Sequence, residues 1–208
     1  MKMAGGQAPW LATGADKRES VRSMFADVAP SYDLMNSLMC FRLHHAWRKR
    51  AVRVLGLKPG DAVLDACCGT GDFLTQIRRA VGPRGKVVGL DFCQPMLDIA
   101  IEKKVEADLV VGDACSLPFQ HGRFDAVTVG WGLRNVPDIT KAVAEAFRVL
   151  KAGGRFVMLV GLDERGVGGE SLAVEVVVHA GGRLERLRAS VPLAAPAYPS
   201  ISRLVLAA

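Results

Sequence analysis

Hydrophobic positions change their spacing once along the chain. Between Lys17 and Leu55 they recur at helical intervals, with Val21, Met24, Phe25 and Val28 on one stripe until Pro30 interrupts it. A further helix is expected from about His44 to Leu55, stopping at Gly56. From Asp61 onward, short apolar runs alternate with amphipathic stretches. Strands are expected over 62–66, 86–90, 109–111, 124–129 and 155–160, and helices over 73–81, 95–104 and 139–150. Strand, helix, strand repeated in this way specifies a parallel sheet with crossover helices. The expected fold class is α/β, a doubly wound and mainly parallel sheet preceded by N-terminal helices.

The two ends of the chain read differently. Residues 1–16 hold Gly5, Gly6, Pro9 and Gly14 with little periodicity, so a mobile arm is expected there. Every Phe, Trp and Lys lies before Val160, and the residues beyond it are rich in Gly, Ala, Val and Arg. A strand is expected over 173–178, and the last stretch has three prolines and no clear period. The reading is therefore an arm (1–16), one α/β domain (17–160) and a divergent tail (161–208).

Composition narrows the class. Of 208 residues, 50% are apolar and 23% charged, which fits a globular domain and argues against disorder. No run approaches the roughly 20 apolar residues of a membrane span, and the opening residues lack the apolar core of a secretory signal. Five cysteines at irregular spacing do not make a disulfide framework, so a reducing cytoplasm is the expected compartment. Adjacent Cys67 and Cys68 lack chelate spacing, and no metal is expected. The net charge of +6, from 27 Lys and Arg against 21 Asp and Glu, is too small to imply a nucleic-acid partner. Arg42, Arg48, Lys49, Arg50 and Arg53 nevertheless crowd one segment beside His44 and His45. They form either the solvated face of an amphipathic helix or a helix resting on anionic headgroups, with Trp47 and Leu43 on its apolar side.

Candidate chemistry sits where the expected strands end. Residues 63–72 read VLDACCGTGD, a strand running into a glycine turn and then a helix. Gly69 and Gly71 permit a tight turn and close approach of a ligand to the backbone. A dinucleotide fingerprint requires a third glycine, but Leu74 stands at its place. Asp65 and Asp72 flank the turn; they would repel a pyrophosphate and suit a cationic ligand. Asp91 ends the second strand about 20 residues beyond the turn, the offset at which an acid holds ribose hydroxyls; the competing reading is a helix cap. Asp113, after the third strand, suits an adenine amino group, or else closes an Asx turn.

These turns resemble those of class I S-adenosylmethionine methyltransferases, which have a Rossmann-like fold. FADVAPSYDLMN (25–36), LDACCGTGD (64–72), VVGLDF (87–92), GDACSLPF (112–119) and FDAVTVGWGLRNVPD (124–138) resemble more closely the C-methyltransferases of quinone biosynthesis, of demethylmenaquinone or ubiquinone type. The likeness runs from about Lys17 to Val160. It implies S-adenosylmethionine as cofactor and assigns cofactor contacts to Asp65, Gly69, Thr70, Gly71, Asp91, Asp113 and Ala114. Family members often carry Ser where Gly130 stands, so no side-chain contact is carried over there.

The implied reaction methylates a ring carbon of a reduced, demethylated isoprenoid quinol. Arg134 and Asn135 would stabilise the developing phenolate, and Tyr32 would orient the ring, although Asn135 could equally be a turn residue and Tyr32 a packing residue. An arginine donates hydrogen bonds but accepts none, so Arg134 is no base without a relaying water. His44 and His45 are weaker candidates for a base, since histidines on a basic helix are commonly at the surface. Trp131 lines the pocket or fills core. An isoprenoid partner implies contact with the membrane surface. The oligomeric state is open. The tail does not resemble the family's ending, and a reading-frame change is one origin for it. On that reading the sheet lacks its last strands, the quinol pocket is incomplete, and the alternative is a protein that binds the cofactor without turnover.

Overall fold

In the computed structural model the described residues are 14–39, 43–162, 173–180 and 183–190. Three helices come first: α1 (Gly14–Val28), α2 (Tyr32–Met39) and α3 (Leu43–Leu55), with a 3-10 turn at Ala29–Ser31 between α1 and α2. Helix α1 already begins inside the segment expected to be an arm; the rest of that arm, residues 1–13, lies outside the described residues. Pro30 sits in the first turn of the 3-10 segment, where its missing N–H costs nothing.

The sheet is built from β1 (Ala62–Ala66), β2 (Lys86–Asp91), β3 (Asp108–Val111), β4 (Phe124–Gly130) and β5 (Leu150–Leu162), all parallel. Helices α4 (Asp72–Val81), α5 (Gln94–Glu102) and α6 (Ile139–Val149) connect them. Two antiparallel strands, β6 (Ala173–Ala180) and β7 (Arg183–Ser190), complete the order β3-β2-β1-β4-β5-β6-β7. The chain runs outward from β1 to β3 and then returns to pair β4 with β1. That reversal opens a crevice at the carboxyl ends of the central strands, where such sheets bind ligands.

Alternation along the strands explains the two cores. Leu64, Val88, Val127 and Phe156 point to the layer containing α6, while Val63, Val87, Ala126 and Val157 point to the layer of α3 and α4. Both faces are thus buried, which is why these strands read as continuous apolar runs. At the end of the sheet the expectations need correction. Strand β5 starts at Leu150, five residues before the expected 155, because it pairs across the Gly153-Gly154 step with a register irregularity opposite Phe124 and Ala126. The expectation of a sheet lacking its last strands also fails: β6 begins where a strand was expected, and β7, which was not expected, pairs along its full length. Residues 163–172, 181–182 and 191–208 of the tail lie outside the described residues.

Part of the charged segment of α3 differs from both expectations. Trp47 is 5% exposed and Arg48 9% exposed, so neither lies on a solvated face or at a membrane. Trp47 packs in the core with Leu55 and Phe73. Lys49, Arg50 and Arg53 are exposed as expected.

Candidate active site

The loops after β1, β2, β3 and β4 border one cavity of about 820 Å³, within the range of small-molecule sites. Gly69 comes from β1, Asp91 and Phe92 from β2, Gly112, Asp113 and Ala114 from β3, and Gly130 to Pro137 from β4. The opposite wall is the N-terminal region, with Met24, Phe25 and Val28 of α1 and Tyr32, Met35 and Asn36 of α2. Of the residues singled out in the sequence, Gly69, Asp91, Asp113, Ala114, Tyr32, Arg134 and Asn135 meet here. Asp65, Thr70 and Gly71 do not line the cavity.

Asp91 is fixed in the cavity wall by two backbone donors. One carboxylate oxygen accepts the Gly69 N–H at 2.8 Å and the other accepts the Cys93 N–H at 2.9 Å. Burial raises its pKa from the ordinary carboxylate value, and the backbone donors offset part of that rise. It does not cap α5, whose N-cap is Cys93 without a side-chain bond. Asp113 does close an Asx turn through the Cys115 N–H at 2.8 Å. Its other oxygen is held by Arg18 of α1 at 2.7 Å. Turn closure and cavity lining therefore coexist at Asp113.

The two acids flanking the glycine turn do not act as expected. Asp65 is 1% exposed and accepts a 2.6 Å hydrogen bond from Thr128 Oγ1. Burial drives its pKa up to about 7, so much of its charge is suppressed near neutrality. Asp72 is tied to Lys103 at 2.6 Å and lies 3.6 Å from Arg48. Burial raises its carboxyl, but the Lys103 hydrogen bond and Arg48 outweigh burial and hold it below the ordinary value. The pair thus presents little free negative charge to a ligand, contrary to the electrostatic reading of the turn.

Thr70 is also engaged elsewhere. Its hydroxyl donates to Asp33 of α2 at 2.6 Å, and Lys103 bridges Asp33 at 2.7 Å and Asp72 at 2.6 Å. The glycine turn is thereby fastened to the helix that carries Tyr32. Gly71 takes a left-handed φ of +82° as the N-cap of α4, and a Cβ there would stand 2.9 Å from Val105.

His44 is 4% exposed rather than at the surface, and it does not line the cavity. Burial, then Arg48, push its pKa down to about 4, so it is neutral at ordinary pH. His44, His45 and Asp72 come within 4.8 Å of one another, but Arg48 and Lys103 already neutralise Asp72, which opposes a cation between them. Trp131 lines the cavity and also packs: Arg48 lies 4.9 Å over its ring, and Trp47 is 6.1 Å away. Tyr32 likewise does both, edge-on to Phe25 at 6.0 Å.

A family model, described as the ubiE/COQ5 methyltransferase family, matches residues 13–162. The chain belongs to the ubiE/COQ5 methyltransferase family. It is 46% identical over 149 residues to a demethylmenaquinone methyltransferase of Bacillus cereus (strain ATCC 10987 / NRS 248), covering 69% of this chain and 62% of that protein. A demethylmenaquinone methyltransferase of Listeria monocytogenes serotype 4a (strain HCC23) is 45% identical over 148 residues, with the same coverage. The chain thus spans about 62% of the length of these curated relatives. Among solved structures, a SAM dependent methyltransferase from Aquifex aeolicus superposes with a TM-score of 0.55 at 23% identity, over 62% of this chain and 71% of that one. At that identity the likeness concerns the fold, and it agrees with the five parallel strands observed here.

Sequence reasoning missed several residues of the cavity wall and of the network behind it. Arg18, Met24 and Val28 reach the cavity from a helix whose stripe was visible but whose partner was not. Asp33 and Lys103 stand 70 residues apart, and no local pattern joins them.

Proposed function

We propose that this protein transfers a methyl group from S-adenosylmethionine to a ring carbon of a reduced, demethylated isoprenoid quinone of demethylmenaquinol type, in menaquinone or ubiquinone biosynthesis. The observation that carries this reading is the convergence on one cavity of the four strand-end loops, with Asp91 fixed among them, and of Tyr32, Arg134 and Asn135. Membership of the family and the names of the relatives support the same chemistry.

The residues present fit the cofactor. Asp91 keeps acceptor capacity beyond its two backbone bonds for ribose hydroxyls. Gly69 takes a φ of +54°, and a Cβ there would meet Met96 at 3.4 Å, so the bare glycine leaves room beside the turn. Asp113 and the buried Ala114 offer an acceptor and an apolar edge suited to adenine. When bound, S-adenosylmethionine would supply an electrophilic sulfonium methyl, whose C–S bond breaks as the ring C–C bond forms, leaving a neutral thioether, while the ring carbon's proton passes to solvent water.

The chain's own residues would position and polarise the quinol. Arg134 and Asn135 lie in the 3-10 turn Gly132–Asn135, one residue beyond β4, and both line the cavity from that one turn. They would stabilise the phenolate that pushes electron density to the ring carbon, the most valuable use of a fixed donor. Tyr32, which lines the cavity from α2, would face the ring, and Trp131 forms a wall braced by Arg48. Apolar Met24, Phe25 and Val28 would exclude water.

We further infer a cytoplasmic protein that meets its isoprenoid substrate at the membrane surface. Free cysteines at 67, 68, 93 and 115 agree with a reducing compartment. No helix among the described residues is long and apolar enough to cross a membrane. The test is methyl transfer from labelled S-adenosylmethionine to a short-chain demethylnaphthoquinol kept reduced by dithionite. Label in the extracted quinone supports the reading. Binding of S-adenosylhomocysteine without any labelled product would leave a cofactor-binding protein and refute catalysis.

A further inference from the structure

We infer that α2 is the surface by which this protein docks on an anionic lipid bilayer, with exposed cations of α3 as its electrostatic support. The purpose of such docking rests on the quinol reading above, but the binding itself can be measured without it.

Three of the most exposed large apolar side chains lie on one short helix. Leu34 is 73% exposed, Leu38 75% and Met35 46%. Leu34 and Leu38 are one turn apart and Met35 flanks them, so they form a single stripe. Met35 also lines the cavity, as do Tyr32 and Asn36 on the adjoining face of α2. Met35 therefore belongs both to the exposed stripe and to the cavity wall. Asp33, the only acid on α2, is bound by Thr70 and Lys103 and places no free charge beside the stripe.

Charge decides the kind of partner. Helix α3, which packs against α2, contains no acidic residue and exposes Lys49, Arg50 and Arg53. Such cations favour the negative headgroups of a bilayer. A stable protein partner would need roughly 800 Å² on each side, which three side chains do not supply. A bilayer needs only that the stripe sink to the depth of the headgroups. Docked this way, the cavity rim would meet the medium in which an isoprenoid quinol is dissolved.

The experiment is co-sedimentation of the full chain with vesicles of phosphatidylcholine alone or mixed with phosphatidylglycerol. The wild type is expected to bind mixed vesicles more tightly than neutral ones. The variant Leu34→Gln/Leu38→Gln should lose at least tenfold in partitioning to both, while keeping its circular dichroism and its affinity for S-adenosylhomocysteine. The variant Lys49→Gln/Arg50→Gln/Arg53→Gln should lose about fivefold per cation on mixed vesicles and little on neutral ones. Separately, Leu34→Trp should shift its emission to the blue when mixed vesicles are added. Wild-type failure to bind mixed vesicles, or unchanged binding by the Leu34/Leu38 variant, overturns the proposal. So does a lipid-free dimer that dissociates in that variant, since a second copy would then cover the stripe. Vesicle binding as expected with no methyl transfer to a soluble quinol would refute the quinol reading and leave the docking surface standing.

Discussion

Asp65 offers a measurement in which the sign of a pH effect tests the buried end of β1. Its carboxyl has an ordinary value of 3.8 and is driven by burial to about 7 in the folded chain. An acid raised in this way binds more protons folded than unfolded between those two values, so stability falls as pH rises through that window. Below the unfolded value there is no penalty; above about pH 7 the full penalty is present. At 1.36 kcal/mol per pH unit the full penalty is about 4 kcal/mol. Between about pH 5 and about pH 8.5 the wild type should lose roughly 2–3 kcal/mol from this one group. Asparagine preserves an acceptor for Thr128 Oγ1 and does not titrate. Urea unfolding of wild type and Asp65→Asn across that range isolates the effect, because every other titrating group is common to both. The gap between the curves should change by roughly 2–3 kcal/mol, in favour of the variant at the alkaline end. Parallel curves would mean that Asp65 ionises freely in the fold, and the account of suppressed charge behind the glycine turn would be wrong.

Asp91→Asn should weaken S-adenosylhomocysteine by about 10- to 150-fold, the equivalent of a lost charged hydrogen bond of about 1.5–3 kcal/mol; isothermal titration with unchanged affinity would remove the ribose role. Gly132→Ala places a Cβ 2.2 Å from Cys67 Cβ and 2.9 Å from its sulfur. Overpacking of that kind costs about 1–3 kcal/mol, and a urea midpoint within error of wild type would refute the crowding. Arg134→Ala should lower the rate of methyl transfer by about a hundredfold, as removal of one oxyanion donor does, with cofactor affinity retained; a parallel fall in both would assign Arg134 to folding or to the cofactor instead.

The central sheet was legible because burial on both faces leaves a plain mark. Runs such as AVLDA and KVVGL have no other economical home in a chain of this composition, and the glycine turn follows the first of them directly. Arg134 and Asn135 stood out only through the resemblance, and the 3-10 turn that holds them was not expected, since nothing in GLRN by itself demands that conformation. The features that stayed hidden depend on contacts between distant segments. Helical spacing marks a stripe on α3 but does not say that Arg48 turns inward over Trp131. Strand β7, reading RLERLRAS, alternates no apolar positions, so its pairing with β6 left no periodic trace. Asp33, Lys103 and Asp72 acquire their meaning only when α2, α5 and α4 meet.

Those hidden contacts alter the physical basis of ligand choice. A row of acidic loop tips would select a cation by charge, yet Asp65 is largely neutralised by its own burial, Asp72 by Lys103 and Arg48, and Asp113 by Arg18. Of the four acids only Asp91 faces the cavity without a cationic side chain on it. Charge at the loop tips is therefore a weak basis for excluding a phosphate. Phosphates bind where a helix offers free N–H groups and an unopposed dipole. Here the first turn of α4 already carries the Asp72 carboxylate, and Thr70, just before its N-cap, is bound to Asp33. The Thr70 hydroxyl is thereby taken by the protein rather than left to a phosphate. The same bonds tie the turn to α2, so the helix that carries Tyr32 is anchored to the glycine turn through Asp33, Thr70 and Lys103.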